Sequence, residues 1–90
     1  MKLGIYSVHD RAAEAYTTPF FLPNDDMAMR SFGACVNQPD HHFKASPADF
    51  TLFKVGVFDS LEGSIEHEAP VSLGNGVSFL THPATNGGNL

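Results

Sequence analysis

Two short runs of the chain, residues 2–6 (KLGIY) and residues 54–58 (KVGVF), repeat one pattern. In each, a lysine, a glycine and an aromatic residue alternate with aliphatic residues, and such alternation is typical of a β-strand. Successive side chains of a strand point to opposite faces of the sheet, so both faces of these strands are largely apolar. The sequence therefore predicts a sheet that must be covered on more than one side.

The clearest helical segment follows residue 23. Asn24 or Asp25 can cap the first turn, because either side chain can accept hydrogen bonds from its free amide groups. Apolar residues then recur at spacings of three and four, which places them on one face of a helix. This stripe consists of Ala28, Met29, Phe32, Cys35 and Val36. Residues before a proline avoid helical geometry, so Pro39 predicts the end of the helix.

The remaining segments supply further strands. Residues 16–21 are rich in strand-forming residues, and Pro19 limits their pairing. A short helix or a hairpin turn can follow Asp10, and Pro19 favours the turn. A hairpin loop at residues 59–63 leads to a return strand that ends near residue 68. The order strand, strand, helix, strand, strand predicts an α+β fold, with a small antiparallel or mixed sheet and one helix packed on one face.

Length and composition limit the class of protein. With 90 residues, the chain forms one small domain with a thin core. We expect this domain to cover residues 1–70 and a partly flexible extension to cover residues 71–90. No apolar run approaches the roughly 18–20 residues that cross a bilayer, and residues 1–10 lack the apolar core of a secretory signal. We therefore expect a cytoplasmic protein without membrane contact, and the single Cys35 fits a reducing compartment.

The net charge of −5 opposes unaided binding to a nucleic acid, whose affinity for proteins comes largely from cationic side chains. Five residues carry positive charge: Lys2, Arg11, Arg30, Lys44 and Lys54. They form no basic run, so any nucleic-acid contact must be local.

The repeated pattern suggests where such a contact lies. We expect the helix to cover the face of Leu3, Ile5, Phe53, Val55 and Val57. The opposite face then carries Lys2, Gly4, Tyr6, Lys54, Gly56 and Phe58. Flat aromatic rings beside lysines can stack bases and neutralise phosphates. Lys2, Tyr6, Lys54 and Phe58 are therefore candidate nucleic-acid-binding residues.

Other interpretations of these residues stay open. Arg30 is a further candidate for a phosphate contact, although Asp26, four residues earlier, can instead form a surface ion pair with it. The aromatic rings can simply pack over the neighbouring glycines. An apolar face on a thin core also favours self-association, so a second copy of the chain can cover it.

Signals for catalysis or cofactors are weak. The adjacent histidines at residues 41–42 lack the spacing and the third ligand of a tetrahedral metal site. Ser7 and His9 have no identifiable acid partner or oxyanion pocket. The glycines at residues 74–76 lack the spacing of a phosphate-binding loop. We expect a protein that is not an enzyme and that uses no cofactor or metal.

Two blocks of residues resemble a known family. The first consists of MK at residues 1–2, IYSV at 5–8, Asp10, Ala13, Tyr16, PFF at 19–21, ND at 24–25, Ala28, Arg30, Phe32 and VN at 36–37. The second consists of DFTLFKVG at residues 49–56, FD at 58–59 and Gly63. In this order and spacing, residues 1–68 resemble the small non-structural protein of gokushoviruses, which are tailless icosahedral bacteriophages of the Microviridae with single-stranded DNA genomes.

The resemblance implies a DNA-binding phage protein in the host bacterial cytoplasm. Its implied role is to support the switch from double-stranded intermediates to single-stranded progeny genomes for packaging. Two hypotheses follow for this chain. It binds single-stranded DNA, as one or two copies, or it is an interaction module that forms a homodimer or docks on phage replication or capsid proteins.

Overall fold

The computed structural model describes residues 1–81. Within them, a mostly antiparallel, curled sheet of five strands packs against one main helix, which confirms the predicted α+β fold. The elements are β1 (Lys2–Asp10), β2 (Ala15–Tyr16), β3 (Phe20–Leu22), α1 (Asp25–Asn37), α2 (His42–Ala45), β4 (Phe50–Asp59) and β5 (Ser64–Asn75). Short 3₁₀ turns cover Pro47–Asp49 and Gly76–Phe79.

The long strand β1 lies in the middle of the sheet. It pairs with β4 along one edge, and β2 and β3 share its other edge. Strand β5 pairs with the far side of β4, so the order is β2-β1-β4-β5 with β3 beside β1. All these pairings are antiparallel, as hairpin connections allow.

The connection after β1 is the predicted turn rather than a helix. The Asp10 carboxylate accepts hydrogen bonds from the backbone amides of Ala12 and Ala13, at 3.0 and 3.3 Å. The single strand expected at residues 16–21 is divided into β2 and β3, because the chain leaves the ladder around Pro19, which cannot donate a ladder hydrogen bond.

Helix α1 begins where the sequence predicts. The side chain of Asn24 accepts a hydrogen bond from the Met27 amide at 2.9 Å and so caps the first turn. The helix ends at Asn37, two residues before Pro39. Its apolar stripe buries Ala28, Phe32 and Val36 against the sheet.

The prediction of which sheet face α1 covers is wrong. The helix packs on the face of Tyr6, Val8, Phe50 and Leu52, all of which are buried. The physical reason lies at Gly4, where a Cβ would collide with the Tyr6 ring. Because Gly4 has no side chain, the Tyr6 ring can lie flat over the strand and form an apolar surface on which the helix rests.

A β-bulge explains a second difference from the prediction, which assumed that the side chains of β4 alternate strictly between the two faces. Ile5 pairs with Gly56 and Tyr6 pairs with Lys54, so Val55 is an extra residue in β4. One extra residue reverses the alternation of faces after it. Lys54 therefore lies on the α1 side of the sheet, whereas Phe58 lies on the opposite side.

The C-terminal part of the domain extends further than predicted. Strand β5 runs to Asn75, so the boundary expected at residue 70 lies inside a strand. The Phe79 ring packs on Phe32, with ring centroids 5.2 Å apart, and the Asn37 side-chain amide donates a hydrogen bond to the Phe79 carbonyl at 2.8 Å. Residues 71–81 thus belong to the packed domain. The rest of the predicted extension, residues 82–90, lies outside the described residues.

Candidate nucleic-acid interface

Tyr6, a predicted stacking residue, is part of the core. Its side chain is fully buried, and its hydroxyl donates a 2.7 Å hydrogen bond to the Asp25 carboxylate at the start of α1. Burial raises the pKa of the Tyr6 hydroxyl well above its ordinary value, and the bond to Asp25 raises it further. Tyr6 therefore joins the sheet to the helix and has no ring face left for a base, which corrects its predicted role.

The two predicted lysines do lie together, but among carboxylates. Lys2 and Lys54 line one cavity of about 510 Å³ on the α1 side of the sheet, beside Asp25 and Asp26. Lys2 also borders a smaller, polar cavity whose other residues include Asp59, Glu62, Ser64 and Glu66. The neighbouring acids lower the positive potential around these lysines.

The other two predicted residues are separated from this pair. Arg30 is exposed on α1 and makes no ion pair with Asp26, since the salt bridge formed within the described residues joins Arg11 to Asp49 at 2.9 Å. Phe58 lies on the sheet face opposite α1. The five candidates thus do not form one surface.

The face of the sheet opposite α1, here called the open face, carries most of the accessible aromatic rings. The pairing register places these residues on it: Leu3, Ile5, Ser7, His9, Tyr16, Phe21, Phe53, Phe58, Ile65 and His67. The bulged Val55 lies there too, because it lines a cavity together with Ser7 and His67. Ile5 and Ser7 are buried at its centre. Tyr16 and Phe21 are 48% and 43% exposed, so their rings remain accessible.

The rings of the open face form two groups. In one, the centroids of Tyr16 and His9 are 4.8 Å apart and those of Tyr16 and Phe53 are 5.6 Å apart, both in edge contacts. In the other, Phe21 and Phe58 lie 5.9 Å apart, again edge to face. Phe53 and Phe58 are paired with positions of β1 that are four residues apart, which is about 13 Å along a strand.

The residues assigned to the open face include no carboxylate, lysine or arginine. The carboxylates of neighbouring strand positions point to the other side: Asp59 lies beside Lys2, and Glu66 pairs with Val57. A ligand on these residues therefore meets aromatic, aliphatic and neutral polar groups, whereas Asp59 and Glu66 lie on the other side of the sheet.

A cavity of about 320 Å³ opens on this face. Its lining consists of Ser7, Tyr16, Thr17, Pro19, Val55, His67 and Pro70. Two irregularities of the sheet lie beside it: the bulge at Val55, and residues 68–70 of β5, which the pairing with β4 skips. Bulges are frequent beside functional sites because they re-aim side chains.

Sequence reasoning did not assign His9, Tyr16 and Phe53 to an interface. It placed Phe53 beneath the helix, together with Leu3 and Ile5, because it misassigned the face that α1 covers. One signal for Tyr16 was present, since a turn at Asp10 pairs Tyr16 with His9 across a hairpin.

Two further observations concern the described residues, 1–81. They contain no group of three or more histidine, cysteine, aspartate or glutamate side chains arranged to hold a metal ion. They also contain no helix with the length and apolar character needed to span a bilayer.

The chain was compared with curated proteins, solved structures and family models. No curated protein and no solved structure matches the chain. A family model described as Phage ORF5 protein matches residues 3–79, which include all of β1 except Lys2 and every later strand and helix among the described residues. The chain therefore belongs to the Phage ORF5 protein family.

Proposed function

We propose that this phage protein binds single-stranded DNA by stacking bases on its open face. The family places the chain among phage proteins. The resemblance to the gokushovirus non-structural protein supports a finer role, in which the protein acts in the host cytoplasm on single-stranded genomes during their synthesis or packaging.

The observation that carries the proposal is the uncharged, aromatic open face. Tyr16, Phe21, Phe53 and Phe58 lie on one side of the sheet with no carboxylate among them. Stacking of a base on an aromatic side chain contributes about 1–3 kcal/mol and tolerates any sequence. Two groups of rings about 13 Å apart along the strand give an extended single strand two points of contact.

The charges of the chain predict how the affinity for DNA depends on salt concentration. The net charge is −5, and Lys2 and Lys54 lie on the other side of the sheet. Few phosphates are neutralised, so few counterions are released and affinity depends little on salt. We expect the logarithm of the binding constant to fall with the logarithm of salt concentration with a slope between zero and about −1.

The test is a fluorescence-anisotropy titration with a labelled oligothymidylate of about 12 nucleotides. We expect Phe53→Ala to weaken binding by about 5-fold to 150-fold, which corresponds to one lost stacking contact. Leu61→Ala is the matched control, because Leu61 is 86% exposed and lies in the β4–β5 loop, outside the strands that form the open face. Absence of binding by the wild-type protein, or equal binding by both variants, would refute the proposal.

A second candidate function is self-association through the same face. It is favoured by the exposure of large apolar side chains there, with Ile65 at 66% and Tyr16 at 48%. Light scattering over a range of protein concentrations tests it. A wild-type dimer that Phe53→Ala dissociates supports a homodimer interface. In the alternative form of this proposal, the same face of a monomer docks on phage replication or capsid proteins. A monomer at high concentration rules out the homodimer.

A further inference from the structure

We propose that His41 is a pH-sensitive latch, which holds α2 closed over the core when its imidazole is neutral and releases α2 when the imidazole is protonated. The segment lies on the α1 side of the sheet, where Phe43 of α2 belongs to the buried core. No residue of the open face takes part, so the latch can be tested whether or not the chain binds DNA.

The observation that carries the proposal is a hydrogen bond at the start of α2. The backbone amide of Phe43 donates to Nδ1 of His41 at 3.1 Å, so the imidazole caps this short helix. A ring nitrogen of histidine accepts only while it carries no proton, and both nitrogens are donors in the charged form. The neutral His41 ring therefore holds its proton on Nε2. Protonation would place two donors, Nδ1 and the Phe43 amide, opposite each other.

A second imidazole lies against the first. The rings of His41 and His42 are stacked, with centroids 4.7 Å apart and planes at 16°. Both rings also contact Phe43, with centroids at 4.5 and 4.7 Å. Two positive charges at this separation repel each other, so protonation of both rings adds to the loss of the cap.

The other charges around α2 change little in the range where histidines titrate. The ionisable residues of this segment, and of α1 and the 3₁₀ turn packed on it, are Asp25, Asp26, Arg30, Cys35, Asp40, Lys44 and Asp49. Asp49 is paired with Arg11 at 2.9 Å. Carboxylates ordinarily titrate near pH 4, thiols above about pH 8, and lysine and arginine above about pH 10. Histidine is the side chain whose charge ordinarily changes between about pH 5 and 8.

The direction of the pH dependence follows from the proton balance. Closed α2 needs a neutral His41, whereas open α2 lets the ring take up a proton, so the open state binds more protons at acid pH. Closure is therefore complete above about pH 7 and weakens as the pH falls toward about 5. The bond from the Lys44 amide to the His41 carbonyl, at 3.0 Å, does not depend on this charge. We therefore expect a loss equivalent to one cap.

Release of α2 would uncover aromatic rings of the core. The Phe43 ring is buried and lies 4.5 Å from that of Phe50 and 5.6 Å from that of Phe32, between centroids. It also closes one wall of a cavity of about 190 Å³, lined by Val8, Phe20, Ser31, Phe32, Cys35 and Phe43. The latch therefore controls access of solvent to the hydrophobic core beside α1.

The experiment measures hydrogen exchange of single backbone amides by NMR in the full chain. Between about pH 7.5 and about pH 5.5, we expect the protection factor of the Phe43 amide to fall by about 2-fold to 10-fold. The Val8 amide, which donates to the Thr17 hydroxyl in the central strand, is the internal control and should keep its protection. His41→Asn is the matched variant. Asparagine also accepts from a first-turn amide but does not titrate, so the pH dependence at Phe43 should disappear.

The imidazole nitrogen-15 resonances of His41 give a second readout that needs no variant. At about pH 7.5 the proton should lie on Nε2, and the charged form should appear over the pH range in which Phe43 loses protection. A neutral ring with its proton on Nδ1 would overturn the latch. So would wild-type protection at Phe43 that does not change with pH, or that falls equally in His41→Asn. A parallel fall at Val8 would overturn it as well, because acid would then open the whole domain rather than α2.

Discussion

Tyr6→Phe tests the central feature of the fold, which is that the aromatic ring of the first strand supports α1. The substitution keeps the buried ring over Gly4 and removes only the 2.7 Å hydrogen bond from the hydroxyl to Asp25. A hydrogen bond to a charged group contributes about 1.5–3 kcal/mol. Asp25 is half-buried and is partly hydrated in either variant, so we expect a loss of about 1–2 kcal/mol in the free energy of unfolding.

The pKa of Tyr6 predicts how this loss depends on pH. The pKa is raised in the folded protein above its unfolded value of about 10. A group of this kind contributes stability that is fully present below about pH 10 and is lost as the pH rises toward the folded pKa. The stability of the wild-type protein should therefore fall more steeply above pH 10 than that of Tyr6→Phe, and the two curves should converge.

The assay is urea unfolding followed by far-ultraviolet circular dichroism at pH 7 and at a series of values above pH 9. Tyr16→Phe is the control, because Tyr16 is 48% exposed and its hydroxyl makes no hydrogen bond within residues 1–81. The control should change stability by less than about 0.5 kcal/mol. If Tyr6→Phe is as stable as Tyr16→Phe at pH 7 and shows the same alkaline profile, the bond between the sheet and α1 contributes nothing and the explanation is wrong.

Two further substitutions test other parts of the fold by the same urea assay. Gly56→Ala should lower the free energy of unfolding by about 1–3 kcal/mol, because its Cβ would lie 2.6 Å from the Glu66 carbonyl oxygen of β5, a backbone atom that cannot move aside. An unchanged midpoint of the urea transition would contradict the close approach of these strands. Phe79→Ala should lower the free energy of unfolding by about 3–5 kcal/mol if residues 71–81 are part of the core, since its ring packs on Phe32. A decrease of less than about 0.5 kcal/mol would instead support the boundary predicted at residue 70.

The parts of the fold that the sequence predicts are those with a local chemical signal. Asn24 precedes an apolar stripe with helical spacing, and it caps α1 as predicted. Gly63 takes the left-handed conformation expected of the β4–β5 loop, with a φ of 69°. In both cases neighbouring residues in the chain determine the outcome, so no knowledge of the tertiary structure is needed.

The candidate site was predicted less well because it depends on register. Nothing in the residues around Val55 marks it as a bulge, since a valine between Lys54 and Gly56 also fits a regular strand. Alternation alone cannot say which of two apolar faces a helix covers, either. That choice follows from the packing of the Tyr6 ring on Gly4 and from its hydroxyl reaching Asp25, which is 19 residues away in the chain.

The bulge at Val55 also determines the charge of the open face. Without it, strict alternation from Phe50 would place Asp59 on the same face as Phe53 and move Phe58 to the side of the lysines. With it, Asp59 lies beside Lys2, and Phe58 joins Phe21 among the aromatic rings. One inserted residue thus keeps a carboxylate away from the surface proposed to stack bases. An acidic chain can in this way present an uncharged surface to a polyanion without any basic patch.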